Sequence, residues 1–180
     1  MKTTPTSILD ACCGGRMFYF EKEHPNILYI DRRRETVEMK DRDKIRTLEI
    51  NPDFVMDFTD MKFPDECFNF VVFDPPHLIN CGKNSWLAKK YGKLDKDSWQ
   101  ETLSKGLSEC LRVVKPGVVV AGGVTEEQHT TRLLDGLFVI FKTRKVTKVL
   151  VEMKDGENTE RFLRKPSECF KIIDGGSSDA

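Results

Sequence analysis

The chain has 180 residues, enough for one sizeable hydrophobic core and short for two, so a single catalytic or binding unit is expected. Its 29 basic and 29 acidic side chains cancel, which excludes a global field that would draw it onto nucleic acid or an anionic membrane; such a partner must be held by a local patch. No apolar run suits a signal peptide or a bilayer span, and the six cysteines (12, 13, 67, 81, 110, 169) lack zinc-ligand spacing, so a cytoplasmic protein with free thiols and no metal is expected.

The first apolar run, Ser7 to Cys13, is stopped by Gly14-Gly15 and reads as a buried parallel strand entering a tight turn. After the breaker His24-Pro25-Asn26 a second strand, Ile27 to Asp31, ends on a carboxylate. Residues 37–50 alternate around Asp41-Arg42-Asp43-Lys44, the pattern of a small hairpin inserted where a helix is more usual. A third strand, Phe54 to Asp57, again stops on an acid, and a fourth, Phe68 to Phe73, runs into Asp74-Pro75-Pro76-His77, where two prolines end it.

Leu103, Leu107, Cys110, Leu111 and Val114 have the 3-and-4 spacing of a helix over 97–114, closed by Lys115-Pro116-Gly117. A fifth strand at 118–121, a helix over 125–134 and an antiparallel pair, 137–142 with 146–153, complete the predicted domain, residues 1–154. Residues 155–180, rich in charge, Gly and Ser, are expected to form a loosely packed or disordered polar tail.

Strands alternating with helices build a mostly parallel sheet, which binds ligands beyond the carboxyl ends of its strands. Asp10, Gly14-Gly15, Asp31, Asp57 and Asp74 all fall at such ends. A glycine turn allows close approach to the backbone, and an acid ending the second strand can accept both hydroxyls of a ribose, so an adenosine-bearing ligand is expected. Cys12-Cys13-Gly14-Gly15-Arg16-Met17 lacks the G-x-G-x-x-G spacing of a dinucleotide's pyrophosphate loop. S-adenosylmethionine (SAM), which carries no phosphate, needs only the shorter turn; Asp57 and Phe58 would then lie near its adenine. Each acid, taken alone, has the alternative of a helix cap or a turn residue.

Asp74-Pro75-Pro76-His77 resembles the Asp-Pro-Pro-aromatic motif of SAM-dependent amino methyltransferases acting on adenine N6 or cytosine N4, and Asp10-Ala11-Cys12-Cys13-Gly14 resembles their cofactor motif. With Arg16-Met17-Phe18 and the run from Asn84 to Gly92, the chain looks like small standalone bacterial and phage enzymes of this class over residues 7–153. The resemblance implies a Rossmann-like α/β fold: a seven-stranded, mostly parallel sheet with a terminal antiparallel strand pair, of class I methyltransferase type. It implies SAM as donor, held by Asp10, Ala11, Cys12, Gly14, Asp31, Arg32, Asp57 and Phe58. It further implies methyl transfer to an exocyclic amine of a base in DNA or RNA, with Asp74 and the Pro75 carbonyl accepting the amine's N–H groups, Pro76 stiffening the turn and His77 stacking on a flipped base. The alternative for this segment is a proline-terminated strand with a capping Asp.

Lys83, Lys89, Lys90 and Lys93 interleave with Trp86 and Tyr91 in a stretch without an acid. That composition suits a nucleic-acid contact surface, for which Lys83, Trp86, Lys89, Lys90 and Tyr91 are the candidates, or an amphipathic lid. Cys12 and Cys13 are set aside as nucleophiles because they lie in the cofactor turn with no histidine nearby in sequence. The chain departs from related small enzymes at Val120-Ala121-Gly122-Gly123, where those carry a Phe-Lys-Trp type sequence, and it has no segment for a separate target-recognition domain. A small-molecule or protein amine or amide as acceptor, and a catalytically silent SAM-binding module, are the alternative functions.

Overall fold

The computed structural model describes residues 7–41, 44–76, 78–82, 85–123, 136–142, 147–152 and 158–163, with side chains through Gly117 apart from Lys40 and Asp41. In chain order its strands are β1 (Ile8–Asp10), β2 (Ile27–Asp31), β3 (Glu35–Asp41), β4 (Lys44–Ile50), β5 (Phe54–Val55), β6 (Phe68–Phe73), β7 (Val114–Gly123), β8 (Gly136–Lys142), β9 (Thr147–Glu152) and β10 (Asn158–Leu163). Two helices, α1 (Trp86–Tyr91) and α2 (Trp99–Val113), fall between β6 and β7.

The main sheet has the strand order β10-β9-β8-β7-β6-β1-β2-β5. All five residues of β2 are buried and Leu9 in β1 is fully so, as strands covered on both faces must be. The strands from β5 to β7 run parallel. From β7 to β10 each neighbouring pair is antiparallel. The architecture is thus a mostly parallel α/β sheet with an antiparallel extension. It has eight strands where seven were expected, because Asn158–Leu163, within the segment read as a tail, pairs with β9 along its whole length.

The predicted strands at 27–31 and 68–73 form at those residues, and the predicted antiparallel pair appears as β8 and β9. The first and third strands are shorter than expected, ending at Asp10 and Val55 as the chain goes on to turns at Ala11-Cys12 and Phe58-Thr59. The inserted hairpin is β3 paired with β4, in register from Glu35 opposite Ile50 to Asp41 opposite Lys44. It stands apart as a two-stranded sheet. The helix expected at 125–134 lies outside the described residues.

The core lies between the sheet and α2, which buries Leu103, Gly106, Leu107, Cys110, Leu111 and Val113 on one stripe. Arg112 secures the loop before β6: its guanidinium donates to the carbonyls of Met61 and Phe63 (2.8 and 2.7 Å) and to Glu109 and Asp65. Glu109 in turn accepts the Met61 N–H at 2.8 Å. With that loop fixed, Phe58 packs edge-on against Phe73, ring centroids 5.3 Å apart.

Gly106 makes this possible. A Cβ there would come within 2.4 Å of the Phe58 ring and 3.0 Å of Phe73. Alanine ordinarily gains about 1 kcal/mol over glycine in a helix, whereas forcing atoms into a packed core costs about 1–3 kcal/mol. The Phe58 ring is buried and has little room to move, so Gly106→Ala is expected to destabilise the fold by about 1–2 kcal/mol net of that gain, read from a urea denaturation midpoint.

Candidate functional site

Parallel pairing brings the strand ends to one edge. Asp10 ends β1 opposite Val72 of β6, and two residues on, on the same face, Asp74 follows. Asp31 ends β2 on the other side of β1. Beyond Asp10 the chain stays tied to both neighbours: the Ala11 N–H donates to the Val72 carbonyl (3.0 Å) and the Cys13 N–H to the Ile30 carbonyl (2.9 Å). Gly14 then turns with φ +48°, a conformation that favours glycine.

An open cleft forms over this edge. It is lined by Cys12, Cys13, Gly14 and Gly15 of the turn, Met17 and Phe18 after it, Asp31, Arg32 and Arg33, Phe58, Asp74 and Pro76, and Lys90 and Tyr91 of α1. A second groove shares Gly14, Gly15, Met17 and Lys90 with it, and continues past Trp86 to Arg46, Thr47 and Leu48 of the hairpin. Cleft and groove together therefore use the glycine turn, the inserted hairpin and α1.

The residues expected to hold a cofactor divide by role. Gly14, Cys12, Asp31, Arg32 and Phe58 line the cleft. Ala11 is fully buried, and Asp10, 2% exposed, accepts the Cys12 N–H at 3.2 Å, so both shape the turn from beneath. Asp57 accepts the backbone and hydroxyl of Thr59, both at 2.8 Å, and does not line the cleft; this is the turn-residue alternative weighed for each strand-end acid.

Asp31 is 5% exposed, and its oxygens divide their work: Oδ2 accepts the Gly14 N–H at 3.0 Å, while Oδ1 accepts the Arg33 N–H at 2.9 Å and Nε at 3.3 Å. Cys13, Gly15, Met17 and Phe18 also line the cleft, and so does Arg33, which was not singled out in the sequence although its place two residues beyond a strand-end acid was the available signal. Arg16 turns away from the cleft. Its guanidinium donates to the Lys22 and Asn51 carbonyls (2.7 and 2.6 Å) and lies 4.0 Å over the Tyr29 ring, fastening the turn to the sheet.

On the opposite wall Asp74 is half-buried, and its carboxylate makes no hydrogen bond among the described residues. Burial, reinforced by the charge of Asp10, lifts its pKa from 3.8 to about 7. Burial likewise lifts Asp10 to about 7, against the opposing pull of the Cys12 N–H. Pro75 is buried behind Asp74, and Pro76 faces the cleft. Burial raises the Cys12 thiol well above its ordinary range and Cys13 to about 12, so neither is a thiolate at neutral pH, in keeping with setting both aside as nucleophiles.

Of the basic and aromatic candidates, Lys90 and Tyr91 reach the cleft, the Lys90 ammonium lying 4.6 Å over the Tyr91 ring. Trp86 lines the adjoining groove, and Lys89 contributes its backbone carbonyl to Arg33. His77 and Lys83 lie outside the described residues. Among the described residues there is no cluster of metal-ligating side chains, and no helix is long and apolar enough to cross a membrane.

No protein-family model and no curated protein matches the sequence. Among solved structures the chain is similar to the PH0226 protein from Pyrococcus horikoshii OT3, at 16% identity and a TM-score of 0.41, over 93% of this chain and 70% of that one.

The raised pKa of Asp74 ties stability to pH. Its value in the fold lies above its unfolded one, so folding takes up a proton between about pH 4 and 7; the cost of the buried charge is absent at the low end and complete at the high end. Asp74→Asn is therefore expected to stabilise the protein by about 1–3 kcal/mol at pH 8, an advantage that fades as the pH falls toward 4. Denaturation of both forms across that range checks it.

Proposed function

We propose that this protein is a SAM-dependent N-methyltransferase of class I, Rossmann-like type, acting on an exocyclic amine of a nucleobase, adenine N6 or cytosine N4, in DNA or RNA. The observation that carries the reading is Asp74: a half-buried carboxylate, without a hydrogen bond among the described residues, facing the same cleft as the glycine turn and Asp31. A carboxylate left unsatisfied in a cleft costs stability, which points to a ligand group that completes it.

The cofactor fits the residues present. Gly14 leaves its side of the cleft open: the nearest neighbour a Cβ at this position would meet is the Lys90 carbonyl, at 4.0 Å. Asp31 retains acceptor capacity for ribose hydroxyls, and Phe58 offers an apolar surface for an adenine. When bound, SAM supplies a methyl group made electrophilic by its sulfonium sulfur.

The protein's part is to present the acceptor. The nitrogen of an aromatic amine is a poor nucleophile because its lone pair is delocalised into the ring. Asp74, ionised, accepts one N–H, and the Pro75 carbonyl is assigned the other; together they draw the nitrogen toward tetrahedral geometry. As the new bond to carbon forms, the amine gives up a proton, and a carboxylate with a pKa near 7 is suited to take it and release it to water. The prolines keep this acceptor pair in place. Tyr91 in the cleft, Trp86 along the adjoining groove and Lys90 in both supply basic and stacking contacts for a nucleotide.

Two outcomes test the reading with labelled SAM and a panel of single- and double-stranded DNA, RNA and small amines. Asp74→Asn is expected to leave S-adenosylhomocysteine affinity within a few-fold while lowering transfer by about two orders of magnitude or more. Wild-type kcat/KM is expected to fall as the pH drops below about 7, where Asp74 becomes protonated and stops accepting. Persistent transfer by the variant would reduce Asp74 to a strand terminator, and loss of cofactor binding alone would move it into the cofactor pocket.

A further inference from the structure

α1 lines the cleft close to the glycine turn, and two arginines that follow Asp31 hold it and the residues just after it there. Arg33 donates to the Lys89 carbonyl at 2.9 Å, and Arg32 to the Lys93 carbonyl at 3.2 Å. Gly92, at φ +80°, sets the chain tightly beside Pro76: a Cβ on it would lie 3.0 Å from the proline ring and 3.9 Å from the Arg33 guanidinium. Arg33 therefore reaches α1 with one end of its guanidinium and Asp31 with the other.

The acceptor capacity of Asp31 is limited. A carboxylate has about four lone-pair sites, two on each oxygen. Oδ2 has one occupied by the Gly14 N–H, and Oδ1 has both occupied, by the Arg33 N–H and Nε. A ribose diol that engages both oxygens finds a free site on Oδ2 and none on Oδ1. The Nε contact is the longest of the three, at 3.3 Å, and a side chain yields more readily than the backbone N–H beside it.

We propose that the ribose diol of a bound adenosine compound and the guanidinium of Arg33 compete for Oδ1 of Asp31, so that ligand binding loosens α1 from the cleft. The inference rests on the adenosine-cofactor reading and deepens it. Arg33 is a positioning residue: it acts on the cleft through α1, and releasing it gives an acceptor room to enter once the cofactor is in place. Because binding linkage is reciprocal, whatever α1 loses on ribose binding the ribose loses to the intact latch.

The test measures adenosine and 2′,3′-dideoxyadenosine against wild type, Arg33→Ala and Arg33→Gln, the last keeping most of the side chain's length as a guard against loss of the fold. Taking the ratio of the two affinities within each protein cancels any general effect of a displaced α1. The advantage of the diol is expected to grow about 3- to 10-fold in both variants. Hydrogen exchange gives a second readout at the Lys89 and Gly92 amides, which bond to Ser85 and Ala88 within the α1 segment. In wild type adenosine is expected to speed their exchange relative to the dideoxy compound; in the variants exchange is already fast without ligand. A diol advantage that is unchanged or smaller in the variants overturns the competition and leaves the cofactor reading standing. No adenosine binding by wild type, with no S-adenosylhomocysteine binding either, overturns both.

Discussion

β1 lies between β2 and β6, and because all three run the same way, three carboxylates arrive at one edge of the sheet. Asp10, Asp31 and Asp74 cannot all carry charge there without compensation, since each is wholly or partly removed from water. The site resolves the conflict unequally. Asp31 receives two backbone N–H groups and an arginine, whereas Asp10 receives a single N–H and Asp74 none among the described residues. The difference in partners separates an acid most of whose lone pairs are engaged in holding the turn from one whose lone pairs are all open.

That division follows from local geometry more than from the identity of the acids. The chain leaves β1 into a turn whose Gly14 N–H points at the neighbouring strand end, and the Asp31 backbone bends so that Arg33 returns to it. Past β6, two prolines stop the chain and remove two backbone donors that could have satisfied Asp74. Burial, with the charge of Asp10 and no donor to oppose it, raises the pKa of Asp74, which suits proton acceptance near neutral pH and costs stability there. The same burial that would make Asp74 useful makes it a liability to the fold.

The short segment around α1 completes the cleft with little core of its own. None of its six residues is buried, and polar contacts to Arg32 and Arg33 fasten it, together with the Leu94 N–H bonded to the Leu78 carbonyl at 2.8 Å. Elements held chiefly by partly exposed hydrogen bonds open at low free-energy cost.

Much of the architecture was legible because apolar runs and their breakers are local signals. The strands at 27–31 and 68–73, the hairpin read at 37–50 and the helix through Leu103, Leu107 and Cys110 follow from residue spacing, and the clustering of strand-end acids follows from parallel pairing. What spacing could not convey was the set of contacts between segments distant in the chain. It did not separate Asp57, closed into its own turn by Thr59, from Asp74, left open; nor did it show Arg33 linking Asp31 to a carbonyl 56 residues away. The eighth strand was missed because a polar, charged segment gives no core signal and is ordered here by pairing with β9. Sequence by itself determined which segments could be strands and which residue types would gather at their ends. Only the tertiary structure decided which of those acids had its lone pairs filled, because hydrogen-bond partners are chosen by distance in space and not along the chain.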